Sequence, residues 1–158
     1  MEHLFSPWRM KYIMENRKFD GCVFCNACQQ PDGLQNLVVH RGEQVFAILN
    51  RYPYTTGHIM IVPFMHSPSI EMLDEATRAE LMEMVTHSMQ VLRKVYHPQA
   101  FNLGANIGAA AGAGIAEHVH FHVVPRWPGD TNFMGTVAET RVLPEDLEET
   151  FERILKAW

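Results

Sequence analysis

An α+β domain built on one antiparallel sheet is predicted by the order in which this sequence lays out its hydrophobic periodicities. Short β-rich runs come first, joined by turns too short for any but antiparallel neighbours. A single long helical repeat then interrupts them, and two more β-rich runs and an amphipathic helix close the chain. A doubly wound chain would instead alternate strand and helix throughout.

Taken in order, residues 1–20 read as an N-terminal arm with a short helix around Pro7 to Met14, followed by a knuckle of Cys22, Cys25 and Cys28 and a turn at Pro31-Asp32-Gly33. Three strands are expected at Leu37 to His40, Val45 to Leu49 and His58 to Val62, separated by Arg41-Gly42-Glu43 and by the turn from Pro53 to Gly57. From Asp74 to Tyr96, Leu81, Met84, Val85, Met89, Leu92, Val95 and Tyr96 recur at helical spacing, and Thr77 with Glu80 reads as a capping box. Pro98 ends that helix. Ala100 to Leu103 and Val119 to Val124 complete five strands. Pro144 opens the last helix, with acids near its start, Arg153 and Lys156 near its end, and a buried face of Leu147, Phe151, Ile154, Leu155 and Trp158. The expected architecture is one sheet with its helices on one side.

The 158 residues carry 47% hydrophobic and 20% charged side chains, the profile of one ordinary globular domain over 1–158 with no linker or repeat. A net charge of −5 argues against a nonspecific nucleic-acid surface. No apolar run approaches the roughly 18 residues a membrane helix needs. The start, Met1-Glu2-His3-Leu4-Phe5-Ser6-Pro7, has an acid where a secretory signal carries a cation, so a cytoplasmic protein is expected. Three cysteines within seven residues make a poor disulfide framework and suit a metal or reduced thiols better.

The chemistry concentrates in His118-Val119-His120-Phe121-His122-Val123-Val124. In an extended strand alternate side chains share a face, so the three imidazoles form a row about 13 Å long while Val119, Phe121 and Val123 turn to the core. Chance sets two more histidines at these offsets only about 2% of the time, which disfavours an ordinary strand. Imidazole serves as nucleophile, proton carrier and cation near neutral pH. Three together suggest phosphoryl or nucleotidyl transfer, one ring attacking phosphorus while its other N–H is held by a backbone carbonyl. Just upstream, residues 106–115 supply small side chains whose amides approach an anion closely. That segment leads into a strand rather than a helix, which excludes a dinucleotide-binding turn. The Cys22-x-x-Cys25 pair offers two thiolate ligands, two short of a tetrahedral zinc site.

The His118 to Val124 pattern, with Gly57-His58-Ile59-Met60-Ile61-Val62-Pro63 before it and Pro125-Arg126-Trp127 after it, resembles the histidine-triad nucleotide-binding family over roughly residues 20 to 150. Phe46 to Pro53 and Pro125 to Phe133 resemble most closely the branch of diadenosine polyphosphate hydrolases and short diadenosine tetraphosphate phosphorylases. The resemblance implies His120 as nucleophile at the α-phosphorus, His122 at the phosphate or leaving group, Asn50 at the ribose, and Asn106, Ala113 and Gly114 along the phosphate path. Trp127 is assigned to the adenine or to a neighbouring subunit's pocket. Many relatives carry Gln followed by Ser or Thr where this chain has Ala113-Gly114, which alters the donors offered to the leaving group. The resemblance also implies structural zinc on Cys22, Cys25, His66 of Pro63-x-x-His66, and His118. The expected protein is a sheet-extended homodimer that cleaves dinucleoside polyphosphates through an adenylyl-histidine, with phosphate or water as acceptor and a slight lean to phosphate. A nucleoside phosphoramidate hydrolase and a nucleotide-sensing module are the rival readings. Neither nucleic acid nor membrane is an expected partner.

Overall fold

The computed structural model describes residues 21–130 and 143–158. Five strands, β1 (Val38–Arg41), β2 (Val45–Leu49), β3 (Ile59–Pro63), β4 (Ala100–Gly104) and β5 (Phe121–Arg126), form one antiparallel sheet in the order β1-β2-β3-β5-β4. The helices are α1 (Val23–Gln29), α2 (Glu75–Tyr96) and α3 (Leu147–Ala157). The arm expected at residues 1–20 lies outside the described residues.

Strands β2 and β3 are buried at every position, which is why their sequences run apolar without alternation. Register fixes the two faces. Ile59 pairs with Val123 and Ile61 with Phe121, whereas Met60 pairs with both Ile48 and His122. The face carrying Val123 and Phe121 also carries Phe101, whose ring lies under the Arg93 guanidinium of α2. The long helix therefore covers that face, and the face of Ile48, Met60 and His122 is left for the site. Gly57 sits at a close approach to the helix: its φ is +79°, and a Cβ there would lie 2.9 Å from Leu92 Cδ2 of α2.

Several expectations need correction. Cys22, Cys25 and Cys28 do not form a bare knuckle: Cys22 is the N-cap of α1, and the other two lie inside that helix. Helix α1 also breaks the one-sided arrangement, because its Phe24 packs on the His118 and His120 rings. The N-cap of α2 is Asp74, which accepts from the Thr77 N–H at 2.7 Å, so Thr77 caps nothing. Glu80 instead accepts from the Glu43 and Gln44 backbone N–H groups, both at 2.8 Å, pinning the β1–β2 turn to α2. Helix α3 starts after Asp146, whose carboxylate caps Glu149, rather than at Pro144. Its Leu155 is 47% exposed instead of buried. Strand β5 begins at Phe121 because the Val119 N–H bonds to Ser67 O at 2.7 Å, outside the sheet.

Candidate active site and metal centre

The lead-in to β5 gives the three histidines two different tasks. Val119 is 2% exposed and packs inward, and the rings on either side of it, His118 and His120, are buried as well. His118 turns to the cysteines of α1, while His120 and His122 stand edge to face, ring centroids 4.8 Å apart, in the wall of a cavity.

Hydrogen bonding fixes which nitrogen of each ring carries its proton. His120 Nδ1 lies 2.9 Å from His118 O. A carbonyl only accepts, so Nδ1 is protonated and Nε2 keeps its lone pair. Behind His122, His58 Nδ1 accepts from the Tyr54 N–H at 3.1 Å and lies 3.3 Å from Asn50 Nδ2. The proton of His58 is therefore on Nε2, which donates to His122 Nδ1 at 2.9 Å. That places the proton of His122 on its own Nε2. The two neighbouring rings thus present opposite faces to a substrate, His120 an electron pair and His122 an N–H.

Burial keeps all three rings neutral. Desolvation pushes His118, His120 and His122 below the ordinary imidazole value, His122 to about 4, with the adjacent His120 adding to the depression. A neutral ring with a free nitrogen is nucleophilic at neutral pH without a separate base.

The cavity has a volume of about 630 Å³ and is lined by Asn50, Asn106, Ala113, Gly114, His120 and His122, six of the residues expected at a nucleotide. Gly108 (φ +85°) and Gly112 (φ +86°) bracket the short 3-10 turn Ala109–Ala111 in the left-handed region where L side chains are strained. This bracketing lets the following backbone line the cavity. Trp127 stands elsewhere: it does not line the cavity, and its indole N–H donates to Tyr96 O at the end of α2, 3.2 Å away. Two contributions escaped the sequence reading. Tyr54 stacks on His122 with centroids 5.8 Å apart at 27° and lines the cavity; its place in the Asn50-Arg51-Tyr52-Pro53-Tyr54 run was the available signal. Val23, Phe24 and Ala27 of α1 form an apolar wall, which only a folded helix brings to the site.

Cys22, Cys25, His66 and His118 place one ligand atom each within 4.8 Å of one another. Cys22 Sγ lies 3.2 Å from His118 Nδ1, and Cys25 Sγ lies 3.4 Å from His66 Nδ1 and 3.7 Å from His118 Nδ1. Tetrahedral zinc, with Zn–S about 2.3 Å and Zn–N about 2.0 Å, holds its ligands roughly 3.3–3.8 Å apart. The donor set fits in its protonation too. His118 Nε2 lies 2.9 Å from Pro63 O and must donate to it, which leaves Nδ1, the atom facing the thiols, as a lone pair. Cys28 is outside the group; its thiol is pushed up by burial, and Arg41 beside it pulls the other way.

Comparison with known proteins agrees with this geometry. The HIT domain family model matches residues 33–129. The AP-4-A phosphorylase of Mycobacterium tuberculosis strain H37Rv is 36% identical over 165 aligned residues that take in 100% of this chain and 85% of that protein. Among solved structures, a Zn-bound histidine triad family protein from Mycobacterium smegmatis superposes with a TM-score of 0.68 at 26% identity, covering 87% of this chain and 92% of the other. A hypothetical histidine triad nucleotide-binding protein from Sulfolobus tokodaii gives 0.67 at 29% identity, covering 86% and 88%.

Proposed function

The chain belongs to the HIT domain family, and on that premise we propose that it is a nucleotidyltransferase that cleaves dinucleoside polyphosphates, diadenosine tetraphosphate foremost, through an adenylyl group carried on His120. The observation that carries this reading is the unprotonated Nε2 of His120, held by the bond from Nδ1 to His118 O, beside the Nε2–H of His122 in one cavity.

The chemistry follows from those two nitrogens. The His120 Nε2 lone pair attacks the α-phosphorus; the P–N bond forms as the P–O bond to the departing nucleoside phosphate breaks. The departing oxygen keeps the electron pair of the broken bond and leaves as a phosphate anion, hydrogen-bonded by His122 Nε2–H, which keeps its proton while Nδ1 accepts from the His58 Nε2–H. Charge developing on the imidazole of His120 is drawn onto Nδ1–H and the His118 carbonyl. An acceptor oxygen then attacks the same phosphorus, the P–N bond breaks, and Nε2 regains its lone pair. Asn50 uses Oδ1 on the Tyr52 N–H and one Nδ2 hydrogen toward His58, and its second amide hydrogen suits a ribose hydroxyl. Asn106 and the backbone of Ala113 and Gly114 follow the phosphate chain. Orthophosphate is the proposed acceptor, in line with the name of the M. tuberculosis relative.

Zinc on Cys22, Cys25, His66 and His118 is part of the same proposal: four protein ligands leave no open position, so it supplies structure and polarises the His118 ring rather than activating water. A homodimer extended through β4 fits the sheet, in which β4 is an edge strand among the described residues and Leu103 is 43% exposed. Three free thiols suit a reducing, cytoplasmic setting. Among the described residues no helix is long and apolar enough to cross a membrane.

The test is product analysis of diadenosine tetraphosphate incubated with the protein, with and without orthophosphate. ADP and ATP appearing only with phosphate are expected. AMP and ATP without phosphate would replace the acceptor by water, and no cleavage in either condition would overturn the reading.

A further inference from the structure

Helix α1 belongs to two sites at once. Its start carries Cys22 and Cys25 toward His66 and His118, and its other side presents Val23, Phe24 and Ala27 to the cavity that holds His120 and His122. Between the two, the Phe24 ring touches both His118, at 5.4 Å and 77°, and His120, at 4.9 Å and 50°. The far end of α1 is tied by the buried Asn36, whose Nδ2 donates to Ala27 O at 3.0 Å. Seven residues are too few to hold a helix on their own in water, so α1 keeps its place through what it touches.

From this we infer that the metal group is a latch on the wall of the nucleotide cavity: metal binding and nucleotide binding are coupled through the docking of α1, each strengthening the other. The inference rests on the reading of the cavity as a nucleotide site and adds the coupling to it. When a metal joins the thiols to His66 and His118, α1 is already ordered and a nucleotide entering against Phe24 does not bear that ordering cost. When a nucleotide fills the cavity first, it holds α1 in the position that brings the two thiols to the two imidazoles. Linkage requires the two effects to be equal in size.

Two measurements on the full chain test it, with AMP and zinc as the probes. The first is zinc affinity by chelator competition with and without AMP, together with AMP affinity with and without zinc. A rise of roughly five-fold or more in both, by the same factor, is expected. AMP that binds with no change in zinc affinity overturns the latch and leaves the proposed function standing. AMP that fails to bind the zinc-loaded protein overturns the nucleotide reading and the latch with it. The second is amide hydrogen exchange of the zinc-free protein. The Asn26 amide, bonded to Cys22 O within α1, should lose protection while the β2–β3 amides keep theirs, and AMP alone should restore part of it. Loss of protection throughout the sheet would show that the metal holds the whole fold rather than one wall, which also overturns the inference.

Discussion

Which ring nitrogen carries the proton decides what each histidine of the site can do, and the two rings are set by two different hydrogen bonds. His120 and His122 are the same amino acid two positions apart, yet one hands its Nδ1–H to His118 O and the other receives a proton at Nδ1 from His58. His120→Ala should therefore lose roughly a thousand-fold or more in turnover; because the ring is buried against Phe24 and His122, its removal also lowers the unfolding midpoint, and turnover is compared where the variant is folded. Steady-state kinetics paired with urea unfolding check this, and residual turnover near the parent level would remove His120 from the mechanism. A second prediction concerns stability against pH. The folded value of His122 is near 4, against about 6.5 in the unfolded chain. The unfolded state thus binds more protons between these limits, and stability falls as the pH drops from about 6.5 toward 4, then levels. The shift corresponds to roughly 3 kcal/mol. Urea unfolding of His122→Gln should show a visibly shallower decline over that window, with His118 and His120 accounting for what remains, since both are lowered in the same direction. An identical decline in the variant would show that His122 is not the buried neutral group.

At the scale of elements, the sequence was most legible where a period speaks for itself. The apolar runs of β2 and β3 and the three-and-four repeat of α2 lie where they were expected, within a residue or two. Legibility ended where a side chain serves a partner distant in sequence. Thr77 and Glu80 have the spacing of a capping box, but Asp74 takes the Thr77 N–H, and Glu80 reaches 36 and 37 residues back to the Gln44 and Glu43 amides. Gly42 belongs to the same joint, since a Cβ there would stand 1.9 Å from Glu80 Oε1. Replacing Glu80 with Ala leaves two turn amides without their carboxylate and should cost about 1–2 kcal/mol in urea unfolding, the exposure of the site keeping the loss moderate. A change under a few tenths would mean that water satisfies those amides as well as Glu80 does. The helix at Cys22 was illegible for a related reason: Val23–Gln29 is too short to carry a periodic signal, and its place is set by contacts with His118 and His120, over ninety residues away.

For the molecule as a whole, the four candidate metal ligands show how much a fold adds to a sequence. The cysteine pair alone left the other two ligands open; the resemblance named His66 and His118, and the fold brings Cys25 to His66 across 41 positions and Cys22 to His118 across 96. Trp127, a conspicuous aromatic beside the triad, lies outside the lining of its own chain's cavity and gives its indole N–H to Tyr96 O, which leaves the neighbouring subunit's pocket as its expected place. Because the ligands come from α1, from the segment after β3 and from the approach to β5, a metal bound there ties together parts of the chain that unfolding separates, and it binds the folded state in preference to the unfolded one. At free zinc a thousand times Kd this preference stabilises the fold by about 4 kcal/mol, or roughly 10 °C in Tm for a chain of this size. His66 is the exposed member of the group, so removing its imidazole opens one coordination position with little loss of core packing. His66→Ala should therefore carry well under one zinc per chain by metal analysis and melt several degrees lower, and the metal-free parent should melt at nearly the same temperature as the metal-free variant. Equal zinc content in parent and variant would exclude His66 as a ligand. A variant that loses zinc yet keeps the parent's Tm would show that the metal contributes nothing to the stability of this fold.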